Sequence, residues 1–455
     1  MSKSGQVKKT ILFWTLILLL SGTSLVAANV FFQISDTVYE GVRVGNIPVG
    51  GLNKQEAANR IRESFASGAV QTLQLASDEH GTWNIQAQDI ALQIDPDALA
   101  NAAYAIGRSG GIINRVKDRY IAANNQIILP LHAQYDREKL NEQLKAIAKR
   151  IERPPLNAYL SYENDRVKVT KEEIGYHINT STLEGQIEQA LKYTIPPLSI
   201  KLAADVVEPS IKAIDLQGID DRLARYTTQF DLNDYNRQKN IALAAEKLAG
   251  VLIKPDGIFS FNELVGPRSA ENGYLDAPVY INGKLAVDVG GGVCQVSTTI
   301  YNAALLADLE IEERSSHYRP PGYVPLGYDA AVAYGLLDLK FKNSMESPLY
   351  IAVSISASQL SVDIYGRRLP AGYETKIMAV DKRVVEPTVI IRQDEQLEFG
   401  REIIENDGAC GYAVTLIRIT SQDGKQIKRE ILSTDEFPVE EKIVRVGTKA
   451  YRGKK

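Results

Sequence analysis

The chain has 455 residues, 44% of them hydrophobic, with a formal net charge of −4 and a pI near 5.8. That length exceeds one hydrophobic core, and the near-balanced charge argues against a general nucleic-acid role. Two cysteines, Cys294 and Cys410, are too few for a disulfide framework, and His80, His132, His177 and His317 share no ligand spacing, so neither metal nor cofactor is expected.

At the N-terminus, Lys3, Lys8 and Lys9 precede an uncharged run from Ile11 to Phe32, long enough to cross a bilayer as a helix. Positive charge before the span predicts a cytoplasmic N-terminus and an extracellular bulk. Val26-Ala27-Ala28 also offers a cleavage site, which would make the protein secreted. The apolar run continues through Val30, Phe31 and Phe32, which favours a retained anchor within residues 1–34. Both readings export the chain.

Residues 38–205 hold a weak internal repeat. Thr82–Ile85 and Asp89–Asp95 in the first copy match Arg166–Val169 and Glu173–Asn179 in the second. Helical patterns precede the strands at 54–65 and 137–151, and follow them at 97–106 and 181–191. Two small α+β modules are therefore expected, at 35–130 and 131–208. Neither holds a nucleophile beside a base. His177 aligns with Gln93 of the other copy and reads as a half-exposed strand residue.

A third domain, 209–370, opens with a helix at 235–252. Strands at 278–281 and 284–288 flank Asn282-Gly283, a hairpin signal. The hairpin runs into Gly290-Gly291-Gly292-Val293-Cys294, and Val296, Ile300, Ala303, Ala304 and Ala307 then recur at helical spacing. A thiol in the first turn of a helix faces unpaired N–H groups that favour thiolate. An alternating strand follows at 309–314, then a Pro/Gly/Tyr loop at 318–328 and three further strands. Residues 371–450 alternate throughout and predict an elongated all-β module with a thin core, followed by a short tail at 451–455. Cys410 within that module reads as an incidental thiol.

Three stretches of the third domain resemble the VanW family, which takes its name from vancomycin-resistance gene clusters. They are Gly257–Asn262, Gly290–Thr299, and Ala333-Tyr334-Gly335 with Asp338–Asn343. The two upstream copies resemble candidate peptidoglycan-binding domains that commonly precede VanW, and Gly424–Glu430 with Ile443–Lys449 resembles a G5 domain. The resemblance implies an α+β multidomain protein of the cell envelope, with a transmembrane helix, tandem α+β modules, a VanW-like domain and a G5-like β module. Its implied partner is peptidoglycan or another wall polymer, in a Gram-positive cell.

Three roles stay open for Cys294. As a nucleophile it needs an imidazole and a group to orient that imidazole. His317 and Asp329 follow in the order expected of papain-like and transglutaminase-like enzymes, with an oxyanion hole drawn from the N–H groups of Val293, Cys294 or Gln295. Such an enzyme would act as an amidase or transpeptidase on peptidoglycan stem peptides. Alternatively Gly290, Gly291, Gly292, Gln295, Ser297 and Thr298, with Tyr318 and Tyr323, bind a sugar or peptide without chemistry. The motif is otherwise structural, and the protein a wall-binding element or an envelope scaffold. Asp338 reads as a solvated strand residue paired with Lys340 or Lys342.

Overall fold

The computed structural model describes residues 36–66, 71–281 and 284–449. The expected span at 11–32, the Asn282-Gly283 turn and the tail lie outside these residues. Among the described residues, no helix is long and apolar enough to cross a membrane. They form two compact units: one runs to Pro155 and resumes at Ile174–Glu208, and the other comprises Leu156–Glu173 and the chain from Pro209 onward.

In the first unit the helices are α1 (Lys54–Ala66), α2 (Pro96–Ala105), α3 (Ile112–Asn124), α4 (Arg137–Ile151) and α5 (Thr180–Tyr193). Asp95, Asp136 and Asn179 cap α2, α4 and α5 by accepting backbone N–H bonds, so the polar residues at matched places in the repeat do start helices. The strands of this unit interleave the two copies. Thr72–Ser77 pairs antiparallel with Gly81–Gln86 and parallel with Leu198–Lys201. Leu73, Leu75 and Ile85 accordingly share one core with Leu140, Leu144 and Ile187. The hairpin Tyr159–Glu163 and Arg166–Thr170 instead belongs to the second unit, where Leu160 packs with Leu216, Ile219, Tyr350 and Tyr365.

The second unit is built around one helix. A four-stranded antiparallel sheet joins Asp221–Gln229, Gln359–Gly366, Leu349–Ser356 and Val251–Ile253 in that order. Against it pack α6 (Tyr235–Leu248) and, after the short α7 (Phe261–Val265), α8 (Val293–Leu306). A small sheet of Ile258–Ser260, Lys340–Lys342 and Glu310–Glu313 flanks them. The hairpin strands Asp276–Ile281 and Lys284–Val289 pair antiparallel and lead directly into the glycine run. The last third folds into two three-stranded sheets, Tyr373–Val385 with Gly411–Gln422 and Lys425–Phe437, and Val389–Glu398 with Lys442–Lys449 and Glu402–Asn406. Leu416 of this β region enters the same core as Ile300 and Ala304 of α8.

Candidate active site

The glycines shape the start of α8. Gly290 and Gly292 have φ of 88° and 108°, and Gly292 is the N-cap. A Cβ on Gly291 would sit 2.8 Å from the Pro278 carbonyl oxygen, and one on Gly292 would sit 2.9 Å from Arg237 Cγ. The hairpin and α6 thus fill the space beside the glycines. This corrects the expectation that Gly290, Gly291 and Gly292 cradle a ligand.

From Gly291 to Leu305 every residue is buried except Cys294. Cys294 is turned toward the loop that carries His317 and Asp329. Cys294 Sγ lies 3.4 Å from the Val332 carbonyl oxygen and hydrogen-bonds the His317 side chain. His317 Nδ1 lies 2.6 Å from Asp329 Oδ2, which also accepts the His317 backbone N–H at 2.7 Å. Since Nδ1 is engaged, Nε2 is the nitrogen left for the thiol. The structure therefore brings Cys294, His317 and Asp329 into one relay.

Electrostatics favour a charged relay. Burial alone would push the thiol up, but His317 and the Arg268 charge bring it below its ordinary value. Burial would push the imidazole down, yet hydrogen bonds to Asp329 and Cys294 raise it to about 9. Asp329 is buried, which opposes its charge, but His317 and Arg314 hold its carboxyl below the usual range. Both shifts favour the thiolate–imidazolium form of the pair. Tyr323 is half-buried beside it, its hydroxyl engaged with Thr298 and its ionisation suppressed by burial and by the Cys294 charge.

Several expected ligand contacts are corrected. Gln295 is 1% exposed and donates to Thr228 Oγ1 and the Gln229 carbonyl while accepting from Arg237. Ser297 donates to the Ala330 carbonyl at 2.7 Å, and Thr298 bonds both the carbonyl and the N–H of Ala330. These side chains are spent inside the fold, so they hold the site's walls rather than a ligand. Tyr318 is 50% exposed and makes no hydrogen bond to the relay. The N–H groups of Val293 and Gln295 are also spent, on the Gly290 and Gly292 carbonyls, so they do not supply an oxyanion hole. Asp338 is 7% exposed and accepts from Ser260, from the Asn262 N–H and from its neighbour Leu339, so it is not a solvated strand residue.

Arg314 completes the relay and was not singled out from sequence. Its Nη2 lies 3.2 Å from Asp329 Oδ1, its Nε donates to the Asp329 carbonyl, and its Nη1 lies 2.5 Å from Asp435 Oδ1. Its one local signal is a lone base ending the acidic strand Glu310–Glu313. Among the described residues, no group of His, Cys, Asp and Glu is arranged to hold a metal.

The VanW family model, described as VanW like protein, matches residues 236–365, which contain the whole relay. The uncharacterized protein YoaR of Bacillus subtilis is 32% identical over 238 residues, covering 52% of this chain and 77% of YoaR. The chain belongs to the VanW family. The vancomycin B-type resistance protein VanW of Enterococcus faecalis is 32% identical over 154 residues, with 32% of this chain and 56% of that protein covered. A model described as a candidate peptidoglycan binding domain matches residues 83–199 and the G5 domain model matches 378–449, in the order expected. The solved IgA1 protease G5 domain is 25% identical and covers 17% of this chain and 90% of its own, with a TM-score of 0.16. Within this VanW family chain, Asp435 lies in the G5-matching segment and Arg314 in the VanW-matching one.

Proposed function

We propose that this VanW family protein is exported, held at the membrane by residues 11–32, and transfers acyl groups of wall peptides through Cys294. The observation that carries the reading is the Cys294–His317–Asp329 relay at the one partly exposed position in the first three turns of α8. The thiolate sulfur attacks the carbonyl carbon of a peptide bond. The His317 imidazolium gives its proton to the departing amine as the C–N bond breaks, which leaves a thioester on Cys294. Water releases it as an acid, in amidase chemistry, or an amine takes it, in transpeptidation; in either case neutral His317 removes the incoming proton. The candidate peptidoglycan-binding and G5 segments supply wall affinity for such an enzyme.

The test is to incubate detergent-solubilised full-length protein with purified peptidoglycan and analyse the products by mass spectrometry. Cleaved or newly cross-linked stem peptides, absent with Cys294→Ala, are expected. An unchanged product profile with folded wild-type protein would overturn the reading. Retention of Cys294→Ala on purified walls checks wall affinity separately from chemistry.

A further inference from the structure

The charge of a second cation, Arg268, acts on Cys294, and nothing in the relay uses it. Arg268 lies between α7 and the following hairpin, with its Cβ 2.9 Å from where a Cβ of Gly290 would be. Its Nη1 donates to Asn262 Oδ1 at 2.7 Å. Asn262 is itself held by the carbonyls of Ala333 and Leu337. The guanidinium carbon sits 5.2 Å from the Phe261 ring centre and 5.9 Å from that of Tyr334. Its Nη2 is buried and has no hydrogen-bond partner. Among the described residues no carboxylate forms an ion pair with Arg268. Asp338, whose field reaches it, is spent on Ser260, Asn262 and Leu339.

The charge balance shifts during the reaction. In the free protein the Arg268 charge favours the thiolate form of Cys294. As the sulfur bonds to the carbonyl carbon its negative charge passes to the oxyanion, and a partly buried guanidinium left without a nearby anion is unfavourable while the peptide is still intact. An anion on the bound peptide restores the balance, and the planar guanidinium suits a carboxylate. A cavity of about 430 Å³ is lined by Asn262 and Tyr334, which lie against Arg268, and also by Glu263, Glu313, Asp338 and Lys340. Tyr334 is 54% exposed on its turn, so it is the side chain a carboxylate would displace to reach Nη2.

We propose that Arg268 binds the carboxylate of a free C-terminal residue, so that Cys294 attacks the peptide bond just before that residue. This rests on the acyl-transfer reading above. Sγ bonds to the penultimate carbonyl carbon, the C–N bond breaks, His317 protonates the departing nitrogen, and the terminal amino acid leaves with its carboxylate. The site thus selects peptides with a free C-terminus.

The experiment measures calorimetric binding of acetyl-Lys-D-Ala-D-Ala and its C-terminal carboxamide to full-length Cys294→Ala. The free acid is expected to bind roughly tenfold or more tighter, as for a charge-assisted bond. Adding Arg268→Gln should erase the difference, and Arg268→Lys should keep part of it. Equal affinity for the two peptides, or no binding of the free acid, overturns the proposal without any Arg268 variant. So does an Arg268→Gln enzyme, in the Cys294 background, that turns over both peptides slower by one common factor, the mark of an oxyanion role. Selective binding without turnover by wild type would support the carboxylate site and refute the acyl-transfer reading.

Discussion

Cys294 and His317 shift in opposite directions because each stabilises the other's charged form. For His317 the folded value, about 9, lies above the ordinary 6.5. Its contribution to stability is therefore complete below pH 6.5 and is lost as pH rises through about 9. Cys294 behaves inversely: its contribution is present above the ordinary thiol range and is lost as pH falls through the depressed value. Two rates should separate these groups. Alkylation of Cys294 by iodoacetamide follows thiolate alone, so it should rise early and stay level through alkaline pH. Acyl transfer also needs the imidazolium, so its rate should fall above pH about 9. His317→Ala should slow alkylation at neutral pH by roughly tenfold or more, as the thiol moves back toward its ordinary value. A His317→Ala protein alkylated as fast as wild type would show that the imidazole does not activate the sulfur.

At the scale of elements, the start of α8 depends on glycine for two distinct reasons. Gly292 has φ of 108° and would meet Arg237 and Ile241 with any side chain, whereas Gly335 has φ of 76° and open space around it. Gly335→Ala should thus cost only backbone strain, about 1–2 kcal/mol. Gly292→Ala adds a clash inside the core and should cost roughly 3 kcal/mol or more in urea unfolding. Comparable losses at both positions would mean that the close approach at Gly292 is unimportant. The helix, the hairpin strands and the capping Asp95 and Asn179 were legible in sequence because they are set by local spacing and local hydrogen bonds. The order Cys294, His317, Asp329 was legible as well, since the fold runs from helix to strand to loop with few alternative partners. The inward role of Gln295, Ser297 and Thr298 was not. Their partners, at Thr228 and Ala330, lie more than thirty residues away, and no local pattern separates a hydroxyl that binds ligand from one that fixes a loop. The hairpin at 159–170 escaped for the same reason, because its strand pattern fits the repeat while its apolar residues pack against Leu216 and Tyr350.

For the molecule as a whole, the family matches and the packing divide the second unit differently. The VanW match ends at residue 365 and the G5 match begins at 378, yet both segments lie in one compact unit. Arg418, 4% exposed, donates to the carbonyls of Leu305 and Leu309 and so closes the C-terminal end of the helix that carries Cys294. Tyr328 beside Asp329 donates to the Ile377 carbonyl at 2.8 Å. Arg314 reaches both Asp329 and Asp435, with the Arg314 and Asp435 side chains only 7% and 8% exposed. Asp435→Ala leaves Arg314 paired with Asp329 but strips one buried Nη of its charged partner, so it should cost about 1–3 kcal/mol. It should also reach the relay, because an Arg314 held at one end only no longer fixes Asp329, and Asp329 sets the His317 ring. The expected result is slower iodoacetamide labelling of Cys294 at neutral pH in a protein that still melts cooperatively. Arg314→Lys, which keeps the charge but loses the fork, should show the same labelling defect with a smaller loss of stability. Were the G5-like segment an independent appendage, Asp435→Ala would lower the melting temperature of that segment and leave Cys294 labelling at the wild-type rate.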